Sequence, residues 1–127
     1  MKETYEIDGN NFSDLEGFYT EFHIKVLKGQ ATWGKNLDAF NDVLSGGFGT
    51  PAEGFVLVWD NSEISKDMLG WPETIKFIEQ KLTTCHPSNV EHVGKDLEDA
   101  KNHQGQTLFE ILIDIIKGHD DVDLILK

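Results

Sequence analysis

Two aspartates, Asp38 and Asp42, stand four residues apart in the segment WGKNLDAFNDVLSGG (33–47). Carboxylates at that spacing fall on one face of a helix, where they can share a proton, act as acid and base, or meet a cluster of cations. For the helix itself the pair is unfavourable. The like charges repel, and Asp42 lies near the negative end of the helix dipole. No histidine, serine nucleophile or phosphate-binding loop accompanies them in the sequence, so no catalytic residue is assigned. The glycine run GGFG (46–49) is followed by neither a lysine nor a helix start, which excludes a P-loop. Its glycines stop the helix and leave backbone bare for a partner to approach. Cys85, His86 and His92 form C-H-x5-H, which is not a zinc spacing, so no metal site is assigned and no cofactor is expected. His23, His103 and His119 are scattered along the chain. Asp114 belongs to a polar stripe with Glu110 and Lys117.

The composition narrows the class of partner. The 127 residues carry 23 acids against 11 lysines and arginines, a net charge of −12. Such a surface argues against direct nucleic-acid binding and favours a basic protein partner through electrostatic steering. The single cysteine leaves no intrachain disulfide. No apolar run reaches the ~18 residues of a membrane span, and no signal-like stretch opens the chain, so a cytoplasmic location is expected. The oligomeric state is not encoded in any pattern.

The elements that must position the two aspartates follow from periodicity. TYEIDG (4–9) alternates as a strand. The capping box SDLE (13–16) opens a helix with Leu15, Phe18, Tyr19, Phe22 and Val26 on one stripe, ended by Gly29. Gly17 within it is expected to cost a little stability. The acidic helix runs from Asn36 to Ser45 and buries Leu37, Phe40 and Leu44. FVLVW (55–59) is apolar on both faces, as a central strand of a parallel sheet should be. Helices follow at 61–70, from Pro72 with Trp71, Ile75, Ile78 and Leu82 on its apolar face, and at 89–101. The last of these is highly charged, opens on the capping box SNVE (88–91) and is read as peripheral. A third capping box, TLFE (107–110), opens a very apolar helix closed by Gly118. VDLILK (122–127) is the final strand. Strands separated by helices make parallel crossovers, so the fold class is α/β: a three-stranded parallel sheet packed with helices.

The segment Trp33, Gly34, Asn36, Leu37, Asp38, Ala39, Asp42 and Gly46 resembles the barstar family of intracellular inhibitors of the ribonuclease barnase. The flanking strands and helix agree with it. The resemblance covers about residues 1–69 and 107–127, so the chain reads as a single domain, 1–127, with a helical insertion at about 70–106. It implies a non-catalytic protein that masks the basic active site of an enzyme, a ribonuclease, with its acidic helix. Asp38 and Asp42 would then mimic RNA phosphate, with Asp42 the anchor, and Gly46 would supply close backbone contact. The implied partner-binding residues are Thr32, Trp33, Asp38, Asn41, Asp42, Gly46, Gly47 and Asp114. Thr32, Asn41 and Gly47 stand where the family carries aromatic contacts, and aromatics are frequent hot spots. Barnase itself is therefore not assigned as the target. The alternatives are an immunity protein or regulatory binder for a different nuclease or basic partner, and an enzyme using the carboxylates with a metal.

Overall fold

A computed structural model describes residues 2–29, 33–46, 50, 51 and 53–127. Thr32 and Gly47 lie outside them. Three parallel strands, β1 (Glu3–Asp8), β2 (Phe55–Asp60) and β3 (Val122–Leu126), form one sheet in the order β1-β2-β3. Tyr5 pairs with Leu57 and Ile7 with Trp59, and Leu57 pairs in turn with Leu124. The expected α/β class, parallel pairing and central β2 are all present. β2 earns its place by composition: Phe55, Leu57, Val58 and Trp59 are buried, so both of its faces are covered.

Helix α1 (Leu15–Lys25) lays Leu15, Phe18, Tyr19 and Phe22 into the core, as its stripe predicts. Phe18 stacks on Trp59, with centroids 5.2 Å apart. Phe40 of α2 (Leu37–Leu44) meets Phe18 and Phe22 edge-on at 5.3 and 5.0 Å. These offset and T-shaped contacts suit the aromatic quadrupole, and they fasten α2 to α1. The α1 cap differs from the expected box. Asp14, not Ser13, is the N-cap, and its carboxylate accepts the Gly17 N–H at 2.7 Å. Gly17 is not merely a weak helix former. A Cβ there would come 2.7 Å from Phe12 Cβ, so the glycine lets the turn close on the helix. The helix also ends earlier than expected, at Lys25, and Gly29 (φ +70°) closes the following turn by donating to the His23 carbonyl.

Beyond β2, α3 (Ser62–Met68) begins at Asn61. That residue makes no side-chain cap; its amide instead donates to Asp8 Oδ1 at 2.8 Å. Together with the backbone N–H of Asn10, which is the larger influence, this holds the Asp8 carboxyl below its ordinary pKa. Glu21 is buried on α1 and fully engaged, accepting from Asp8 N and Asn11 Nδ2 with Lys25 alongside.

The next helix, α4 (Trp71–Thr84), corrects the expected apolar face. Trp71, Ile75, Ile78 and Leu82 are half-buried, whereas the fully buried residue is Thr74, and Phe77 packs against the core. The Thr74 hydroxyl donates to Gly70 O and accepts the Leu108 N–H at 2.8 Å. This ties α4 to the start of α6 (Leu108–Lys117). Between them, α5 (Val90–Lys101) buries Val93 and Ala100, and no α5 residue belongs to the main core cluster. The SNVE box is not made. Asn89 caps α5 without a side-chain bond, and the Ser88 N–H goes to His86 Nδ1. The Thr107–Glu110 box does form, with both reciprocal bonds in place.

Candidate partner-binding site

The site is built on α2. Asn36 caps it, accepting the Ala39 N–H at 2.8 Å. Phe40, Val43 and Leu44 are buried, and Leu37 is half-buried. The buried face fixes the opposite one: Asp38, Asn41 and Asp42 are all exposed, about one turn apart. The two aspartates are not electrostatic equals. Asp38 lies in the first turn, where the dipole favours an anion. Asp42 lies in the last turn, which carries no base.

The C-terminal end of α2 is closed by backbone and by one distant side chain. Ser45 N donates to Asp42 O and Gly46 N to Val43 O, and Gly46 takes φ +96°, a conformation that favours glycine. The buried hydroxyl of Thr50 donates to Val43 O at 3.0 Å. Asn41 is held from the other side, because its Oδ1 accepts from His119 Nε2 at 2.7 Å. His119 follows α6 in the turn leading to β3. Sequence reasoning missed Thr50 and His119, because neither belongs to a local pattern that points at α2.

Two of the expected contact residues are placed elsewhere. Trp33 is 9% exposed, set edge-on to Tyr19 and Phe22, with its Nε1–H donated to His23 Nδ1 at 3.1 Å. A large aromatic beside two others gains more from burial than from exposure once its N–H has a partner. Its side chain belongs to the core cluster. Asp114 is exposed on α6 but bonds the Gln106 amide and lines a groove with Lys66, Trp71 and Leu126. No α2 residue lines that groove. The structure thus places Asp38, Asn41 and Asp42 on α2, with Gly46 just past its end, and Asp114 on the neighbouring helix α6, in a groove that no α2 residue lines.

A second groove, of about 490 Å³, runs between α1, α2 and α4. Asp38 and Lys35 line it from α2 and its approach, and Lys76, Phe77 and Lys81 line it from α4. The helix that follows α3 therefore adjoins the acidic site. Among the described residues no cluster of His, Cys, Asp or Glu could hold a metal ion, and no helix is long and apolar enough to cross a membrane.

Residues 2–82 match the sequence profile of the family described as Barstar (barnase inhibitor). The chain belongs to the barstar family. The matched stretch contains β1, α1, the whole of α2, β2 and α3, and it continues through Leu82 into α4. It thus runs past residue 69 into the stretch read as an insertion, and it does not extend to residues 107–127, the second stretch that the resemblance covered. No curated protein matches the chain.

Proposed function

We propose that this protein is a non-catalytic inhibitor that works in the cytoplasm and masks the basic active site of a ribonuclease with α2. The observation that carries this reading is the division of α2: Phe40, Val43 and Leu44 are locked in the core while Asp38 and Asp42 face solvent. A short helix anchored this way presents two carboxylates in fixed register. That costs little ordering entropy on binding and suits arginine and lysine side chains that hold phosphate. Membership of the barstar family supports the same class of partner. Asn41, tied to His119, offers a polar surface where the family resemblance implies an aromatic contact. The proposed target is accordingly a ribonuclease other than barnase, with Asp42 as anchor and Asp38, Asn41 and the Gly46 backbone around it. The net charge of −12 would speed capture of a basic enzyme.

The test is an inhibition titration. The pure protein is added to a panel of small basic ribonucleases, barnase included, and RNA cleavage is followed. Stoichiometric inhibition of at least one enzyme other than barnase, relieved by Asp42→Ala, is the expected result. Inhibition indifferent to both aspartates would overturn the reading. So would substrate turnover by the isolated protein that disappears in Asp42→Asn.

A further inference from the structure

His23 has no part in the binding surface described above, yet it holds the chain that leads to it. It lies half-buried in the last turn of α1, with Nδ1 3.1 Å from Trp33 Nε1. An indole N–H can only donate. Nδ1 must therefore accept, so the imidazole in this arrangement is neutral and carries its proton on Nε2. The bond closes on a ring already seated against Tyr19 and Phe22. Trp33 stands three residues before Asn36, the cap of α2, so the indole is a fixed point just ahead of the acidic helix. We propose that His23 is a positioning residue for α2: by accepting the Trp33 N–H it sets where the acidic helix starts, and its protonation releases that hold. The functional part of this inference rests on α2 being the binding element.

The opposing arrangement at His119 sharpens the point. There the ring donates to Asn41 Oδ1, a bond that protonation leaves intact. At His23 protonation turns the acceptor into a second donor facing a donor. The groups around His23 simplify the reading. Its neighbours at helical spacing are Tyr19 and Thr20 on α1 and Val26 and Leu27 just past its end, and the residue facing it from the α2 approach is Trp33. Tyr19 is the one titratable group among them, and burial, with Glu16 as a lesser influence, pushes its hydroxyl further into the alkaline range. Lys25 and Glu21, the charged residues two positions away on α1, pair with each other. Among the described residues no carboxylate lies within 4 Å of the His23 ring.

The experiment uses the free full chain, ¹⁵N-labelled, and follows it by NMR from about pH 8 to about pH 5, the range across which histidines commonly titrate. It reads the Trp33 indole N–H and the protection factors of the Ala39 and Phe40 amides against those of β2. In the wild type the indole resonance should move together with the His23 ring. Protection in α2 should fall about fivefold at the acid end, the equivalent of one side-chain hydrogen bond, while β2 stays protected. His23→Gln supplies an amide oxygen that accepts at either pH, so it should keep α2 protected and abolish the pH step. His23→Leu should leave α2 loosened throughout. Wild-type α2 protection that ignores pH overturns the proposal, as does a loss shared equally with β2, or equal loosening in Gln and Leu variants. If the Leu variant does not fold, the wild-type and Gln titrations decide. No partner is present, so this outcome is independent of the ribonuclease titration.

Discussion

Helices α2 and α6 touch, and each buries one apolar stripe in the same core, yet their polar faces are built on different terms. Helix α6 obeys the local rules throughout. Thr107 and Glu110 satisfy each other's backbone groups, Glu110 sits at the positive end of the dipole, and Lys117 sits at the negative end. Helix α2 obeys them at its start, through Asn36 and Asp38, and breaks them at its end, where Asp42 stands in a last turn without a base. In its last turn the Val43 carbonyl accepts from the Gly46 N–H and from the hydroxyl of Thr50, seven residues away. The same chain therefore builds a fully compensated helix beside an uncompensated one. A local rule broken beside such a neighbour is what the proposed role of Asp42 as anchor calls for.

The largest expected effect tests what Asp42 is for. With the inhibited ribonuclease in hand, Asp42→Ala should weaken binding by ~3–5 kcal/mol, because removing one member of a desolvated pair strands the other. Calorimetry or association kinetics reads it directly, and an unchanged affinity would reduce α2 to an ordinary surface helix. Association should also slow as salt rises, since the Debye length falls from ~10 Å at 0.1 M to ~3 Å at 1 M. A rate flat across that range would remove steering from the account.

The next two effects probe α6. Thr74→Val deletes the hydroxyl that accepts the buried Leu108 N–H. It should cost ~1–3 kcal/mol in urea unfolding, the penalty of an unsatisfied buried donor. Thr107→Ala breaks only the exposed capping box and should cost ~0.5–2 kcal/mol. If the two variants were equal, the junction of α4 with α6 would matter no more than a surface cap.

The smallest effect carries the sharpest contrast. Asp42→Ala relieves an unfavourable end charge, ~0.3–1 kcal/mol, and repulsion from Asp38, ~0.2–0.5 kcal/mol. It should raise the melting temperature slightly. Asp38→Ala relieves the same repulsion but loses a favourable first-turn charge, so it should leave stability nearly unchanged or lower it a little. Equal shifts for the two variants would show that their positions along the helix make no difference.

Much of this was legible in the sequence because periodicity is a local property. The stripe Leu15, Phe18, Tyr19, Phe22 and Val26 is buried as its 3.6-residue spacing requires. The apolar run of β2 sits in the centre of a parallel sheet, and the apolar residues of α2 turn Asp38 and Asp42 outward. What the sequence could not decide is which polar group meets which across long separations. Thr74 bonding Leu108, His119 bonding Asn41 and Thr50 bonding Val43 are pairings of chain segments brought together only by packing. The same holds for Trp33, whose place in a binding motif suggested a surface role. Tyr19, Phe22 and His23 offered it a pocket and an acceptor, and burial of a large aromatic with its one donor satisfied prevailed. Local spacing determined the elements and the face that α2 shows. The tertiary structure alone decided what holds that face in place, because a hydrogen bond between distant residues has no period to read.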